Sequence, residues 1–190
     1  MLSKKPTVPI AAALFLTGSV TLTGAAFPIE PAHASVVESE DDTAQEDAVK
    51  KLHEIHDSAY HGGFPGNAES FILHKTTRTD IQDRWGPAPM PRTTDSPFDI
   101  YGANMGNPGY GFSYDKNNIV KEIRFFGTNV ERGHNLGGIT AAVLGRELGS
   151  ADYIRSIPGT GETSYIYETG NYELQFVIGT DGTADHVNLK

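Results

Sequence analysis

The sequence predicts an α+β fold: a tandem repeat of short helices followed by antiparallel strands, with an amphipathic helix in front. Three observations carry this prediction. Thr77, Ile81, Trp85 and Gly86 are matched sixty-three positions later by Thr140, Leu144, Leu148 and Gly149. Tyr110, Phe112 and Tyr114 fall sixty-two positions before Tyr172, Leu174 and Phe176. Around these aromatic positions, large residues alternate with small or polar ones, the period of a strand with one packed face.

Residues 1–34 read as a signal peptide. Lys4 and Lys5 form a charged start, an apolar run covers 10–16, and Ala32-His33-Ala34 supplies small residues for cleavage before Ser35. An uncleaved anchor fits less well. Thr17, Gly18, Ser19, Thr21, Thr23 and Gly24 dilute the segment, and a spanning helix needs about 20 predominantly apolar residues. Cleavage removes Lys4, Lys5 and Glu30, so the 15 basic and 24 acidic residues become 13 and 23, a net charge of −10. That balance excludes nucleic acid as a partner, because backbone binding needs clustered Lys and Arg. It also disfavours anionic membrane surfaces. The chain has no Cys, so neither a disulfide nor a lipid-modified N-terminal Cys is available. The expected product is secreted, extracellular or cell-wall associated, with no stable membrane insertion after cleavage.

Residues 35–43 are acidic and poor in apolar side chains, an expected disordered leader. Thr43 and Glu46 then spell a capping box. Val49, Leu52, Ile55 and Ala59 recur at helical spacing before Gly62 and Gly63 stop the helix. Thr77 or Thr79 caps the next helix, which carries Ile81 and Trp85 and ends at Gly86-Pro87. Strands are predicted at 98–101, 110–114 and 119–126. The second half repeats the scheme: a helix from Thr140 with Val143, Leu144 and Leu148 to Gly149, then strands at 164–168, 172–178 and 184–189. The chain thus divides into the signal peptide at 1–34, the leader at 35–43, a first α+β repeat at 44–126, a connecting segment at 127–138 and a second repeat at 139–190.

Two stretches resemble the repeated helix motif of the β-lactamase-inhibitor-like and outer-membrane-lipoprotein-assembly folds: Thr77, Ile81 and Trp85-Gly86-Pro87, and Gly138-Ile139-Thr140 with Leu144 and Leu148-Gly149. With Lys75-Thr76-Thr77, Glu122-Ile123-Arg124-Phe125 and Leu174-Gln175-Phe176-Val177 in that order, residues 44–189 are more similar to the YjgB-like secreted proteins of Gram-positive bacteria, a family of unknown function. The resemblance implies a tandem α+β fold with antiparallel sheets and brings no catalytic residues. The chain departs from it in its His-rich first helix and in Asn135-Leu136-Gly137-Gly138.

Two functional classes follow from the residues. The leading one is a non-enzymatic binding protein whose exposed sheet face meets an exported protein or a cell-envelope component, with no cofactor. Its candidate residues are Glu122 and Arg124, which share a strand face, and Tyr165 and Tyr167, since tyrosine offers contact area and a hydroxyl together. The alternative is an extracellular metal-binding protein or metal-dependent hydrolase, with His53, His56 and His61 holding a divalent metal ion. Against it, His53-Glu54-Ile55-His56 lacks the i, i+4 spacing of H-E-x-x-H. Other catalytic groupings are poorly supported. There is no G-x-S-x-G elbow, and in Ser164, His186 and Asp185 the last two are strand neighbours expected to face opposite ways. Gly137-Gly138 precedes a helix but no Lys follows at phosphate-binding spacing.

Overall fold

The structure, a computed structural model, describes residues 40–190. The expected signal peptide, and the leader up to residue 39, lie outside the described residues. Helix α1 (Glu40–Ala59) buries Ala48, Leu52, Ile55 and Ala59 along one side, the stripe that the spacing predicts. It already includes residues 40–43, where a disordered leader is expected. Thr43 therefore lies inside the helix and is not its N-cap. Glu40, Asp41 and Asp42 occupy the first turn, where carboxylates oppose the positive end of the helix dipole; acidity favours helix here.

Helix α2 (Arg78–Trp85) is capped by Thr77, which exchanges hydrogen bonds with Asp80. It ends at Gly86, whose φ of 82° lies in the left-handed region where glycine carries no Cβ penalty. Helix α3 (Ala141–Glu147) is capped by Thr140 through the Val143 N–H. Tyrosines from the sheet close both helix ends. The Tyr101 hydroxyl donates to the Gly86 carbonyl at 2.9 Å, and that of Tyr167 to the Gly149 carbonyl at 3.4 Å.

Among the described residues seven strands form one antiparallel sheet: β1 (Asp99–Tyr101), β2 (Gly109–Tyr114), β3 (Val120–Gly127), β4 (Tyr153–Ser156), β5 (Thr163–Thr169), β6 (Tyr172–Ile178) and β7 (Ala184–Leu189). Their spatial order is β1-β2-β3-β7-β6-β5-β4. The strands of the two halves thus share a single sheet. The halves meet where β3 pairs with β7, through Ile123 with Leu189, Arg124 with Asn188 and Phe125 with Val187. Strand β4 has no counterpart among the strands read from sequence. All four of its residues are exposed on a sheet edge, so no buried face imposes an alternating pattern.

Alternation places the core on one face. Tyr110, Phe112, Ile123, Phe125, Leu174, Phe176, Val187 and Leu189 pack with Leu52 and Ile55 of α1, Ile81 of α2, and Val143 and Leu144 of α3. Each such burial contributes roughly 1.5–3 kcal/mol. The connecting segment forms 3-10 turns at Arg132–His134 and Leu136–Gly138. It is held by Gln45 Nε2 donating to the Gly138 carbonyl at 3.2 Å and by Arg132 Nη2 donating to the Ala184 carbonyl at 2.8 Å. A Cβ on Gly138 would collide with the Gly133 carbonyl oxygen and with Ala48 Cβ, so only glycine lets the segment reach α1.

Candidate ligand groove on the outer sheet face

The face of the sheet turned from the core is assembled by register. Arg124 pairs with Asn188, Asn188 with Gln175, Gln175 with Ile166 and Ile166 with Tyr153. One step along, His186, Val177, Ser164 and Arg155 form a second row. All of these except Tyr153, with Glu122, Lys190, Glu162, Ile157 and Pro158, line a groove of about 420 Å³. Its floor is buried although it faces away from the core: Ser164, Gln175, His186 and Asn188 are each at most 8% exposed.

Arg124 is the central charge. Its guanidinium stacks over the Phe98 ring with its carbon 4.5 Å from the centroid, and Nε donates to Asn188 Oδ1 at 2.8 Å. Burial lowers its basicity, opposed by the charges of Glu122, Asp185 and Glu162. Among the described residues no carboxylate lies within ion-pair distance of Arg124, whereas Glu122 pairs with Lys190 at 3.7 Å. His186 is also moved down by burial, against a hydrogen bond to Asp185 that favours its charged form. The imidazole is then neutral at pH 7. Its Nδ1 lies 2.8 Å from Asp185 Oδ2. A carboxylate only accepts, so the proton sits on Nδ1 and Nε2 is left as an acceptor. The hydroxyl of Ser164 is buried and has no hydrogen-bond partner. Buried polar groups are nearly always paired, so the Ser164 hydroxyl has hydrogen-bonding capacity to offer a group entering the groove.

A larger cleft, of about 630 Å³, lies between the β1–β2 connection and the end of α2. Most of its polar groups are engaged internally: Arg84 with Ser70, the Tyr101 hydroxyl with Gly86, the Tyr110 hydroxyl with Pro65 and Asn67 with Asn107. The outer-face groove has both the unpaired cation and the unpaired hydroxyl, and it is the stronger candidate.

Residues 52–190 match the family described as a domain of unknown function, DUF4309. The chain belongs to the DUF4309 family. It is similar to the uncharacterized protein YjgB of Bacillus subtilis (strain 168), with 43% identity over 188 residues and 98% of each chain covered. A crystal structure of a DUF4309 family protein (YjgB) from the same organism, at 2.13 Å resolution, superposes with a TM-score of 0.74 and 47% identity, over 76% of this chain and 98% of that one.

Within this DUF4309 chain the candidate residues separate. Glu122 and Arg124 are both in the groove. Tyr165 and Tyr167 are not, which corrects their assignment to an exposed face. Both pack toward the helices; Tyr167 is 5% exposed, meets Phe176 edge-on and is bonded to Gly149. Ile166 and Ser164 take the outward positions between and before them. His53, His56 and His61 do not converge. His53 Nε2 lies 3.3 Å from Glu147 of α3, His56 packs edge-on against Tyr60, and His61 is exposed. Among the described residues no group of three His, Cys, Asp or Glu side chains is placed to hold a metal ion. The Ser164–His186–Asp185 grouping has its Asp–His contact although the two are strand neighbours. Ser164, however, lies two strands from His186, roughly 9–10 Å by strand spacing, too far for a hydroxyl–imidazole bond. Sequence reasoning missed Gln175, Asn188, Ser164 and His186 as one site. Their only local signal is a polar residue at alternate positions of three different strands.

Proposed function

We propose that this protein is a secreted, non-enzymatic binding protein that engages an exported protein or a cell-envelope component through the outer face of its sheet. The observation that carries the reading is the groove around Arg124, which holds a half-buried guanidinium without a carboxylate partner and, three strands away, a buried hydroxyl without a hydrogen bond. Export follows from the signal-peptide pattern of residues 1–34. No helix of the described residues is long and apolar enough to cross a membrane.

The two halves are also inferred to be copies of one unit, the tandem repeat to which the helix motif points. The pairings support a strand spacing of sixty-four residues, not the sixty-two read from the tyrosines. Tyr110 with Phe125 corresponds to Leu174 with Leu189, and Phe112 with Ile123 to Phe176 with Val187. Register shifts after Ser113 and after Val177 agree with this spacing. On it Arg124 and Asn188, which pair with each other, are equivalent positions, so a pseudo-twofold axis passes between them and through the groove.

The test is capture from culture supernatant and cell-wall fractions with the purified mature chain. Arg124→Glu and Glu122→Lys should each reduce recovery of the captured component. Recovery unchanged by both reversals removes the outer face from the function.

A further inference from the structure

We infer that the groove takes a short zwitterionic peptide, its terminal carboxylate on Arg124 and its ammonium toward Glu162. This rests on the reading of the outer face as the binding surface and adds the class of ligand. The groove is open on one side of the pseudo-twofold axis and filled on the other, and one pair of positions accounts for much of that difference. Asp99 pairs with Phe112, which sets Phe98 opposite Ser113; Ser164 pairs with Val177. On the sixty-four-residue spacing Ser113 and Val177 are equivalent, so Ser164 stands where the other half has Phe98. The Phe98 ring fills its side of the face, 3.3 Å from where a Cβ on Gly111 would sit. Ser164 leaves the other side open and presents a hydroxyl that nothing in the protein satisfies.

The charges select among ligands. Asn188 takes only Nε of Arg124, so both terminal nitrogens remain for the bidentate hydrogen bonds a carboxylate accepts. Glu122, Asp185 and Glu162 all act on Arg124 electrostatically. Within the lining Arg124, Arg155 and Lys190 stand against Glu122 and Glu162, a small positive excess that suits a single carboxylate better than a dianion such as phosphate. Glu162 itself has no ion-pair partner among the described residues and lines the same groove, a receptor for a cation at the far end of the ligand. The neutral His186 offers an acceptor, and Asn188 Nδ2 a donor, for peptide backbone groups. A volume of about 420 Å³ falls within the range of small-ligand sites, roughly 300–1,000 Å³.

The experiment is calorimetric titration of the purified mature chain with tri-alanine, its C-terminal amide, its N-acetyl form and inorganic phosphate. Tri-alanine should bind, and the amide should bind about tenfold more weakly or worse, the loss expected for a charge-assisted contact. Arg124→Gln should reproduce the loss caused by the amide. Glu162→Gln, a rim change that leaves the floor of the groove intact, should weaken tri-alanine several-fold and leave the N-acetyl form unaffected. No binding of tri-alanine at about 10 mM, equal binding of the amide, or tighter binding of phosphate overturns the proposal. Should partner capture still depend on Arg124 while tri-alanine fails to bind, the outer face stands and the peptide is wrong.

Discussion

Replacing Ser164 with alanine is expected to make the protein more stable. The Ser164 side chain is 6% exposed and its Oγ has no partner. Folding therefore strips water from a hydroxyl and returns nothing for it. An unsatisfied buried group of this kind costs about 1–3 kcal/mol. Serine and alanine differ little in backbone demands, and the poorer fit of alanine to a strand offsets a few tenths of a kcal/mol of the gain. The net stabilisation is about 1 kcal/mol, equivalent to roughly 2–4 °C in Tm for a chain of this length. Urea denaturation and scanning calorimetry of the variant and the parent read it directly. Ser113 supplies the control. It is 1% exposed, its Oγ is equally unpartnered, and it lies on the same face outside the groove. Ser113→Ala should stabilise by a similar amount and leave ligand binding alone, whereas Ser164→Ala should weaken binding while it stabilises. If Ser164→Ala lowers Tm while Ser113→Ala raises it, the Ser164 hydroxyl is satisfied in solution and the reasoning fails.

Asp99→Asn should destabilise by about 3 kcal/mol at pH 7, since it leaves the Arg78 guanidinium without the fully buried carboxylate that it grips through Nε at 2.6 Å and Nη2 at 3.1 Å. Burial opposes ionisation of Asp99, but the bonds from Arg78 and from the Arg92 N–H, with the charge of Arg78, prevail and hold it below the ordinary aspartate range. Its contribution is therefore complete above about pH 4, the unfolded value, and fades as pH falls through the folded value; urea unfolding at pH 7 and pH 3 should show the gap between variant and parent closing. Gly138→Ala should destabilise by about 1–3 kcal/mol or more through the clash with Gly133 and Ala48, seen as a fall in Tm with no change in the groove. Tyr101→Phe and Tyr167→Phe should each lose about 0.5–1.5 kcal/mol in denaturant unfolding. The larger effect is expected at Tyr101, whose bond to its helix end is the shorter, 2.9 against 3.4 Å.

The parts of this fold legible in the sequence are those with local causes. Thr77 and Thr140 announce helix starts, Gly86 announces an end, and the alternation through Tyr110, Phe112 and Tyr114 announces a strand. Thr43 and Glu46 have the spacing of a capping box, but the acidic turn before them is already helical. Alternation through Tyr165 and Tyr167 separates two faces without saying which one packs, and the tyrosine face is the packed one. Here Ile166 is turned outward, between Gln175 and Tyr153 on the neighbouring strands, and is nonetheless 1% exposed. The groove was legible only in part. Glu122 and Arg124 are two residues apart on one strand, so a period of two finds them. Asn188, Gln175, His186 and Ser164 join them through pairing registers among four strands, and no local pattern encodes such a register. The histidines show the converse: i, i+3 spacing brought His53 and His56 within reach of each other on paper, and the tertiary fold gave His53 a glutamate from α3 instead.

The middle of the sheet has a consequence for how the chain is made. Strand β7, which alone bridges β3 to β6, comprises residues 184–189 and is the final element of the seven to leave the ribosome. Until it emerges, β1 to β3 and β4 to β6 are two ribbons lacking their keystone, each with an apolar face open to water. Synthesis proceeds at about 5–20 residues per second, so the six earlier strands wait unlocked for seconds until residues 184–189 emerge. The proposed export, through a channel that threads only unfolded chains, would meet the polypeptide in the state such a channel requires.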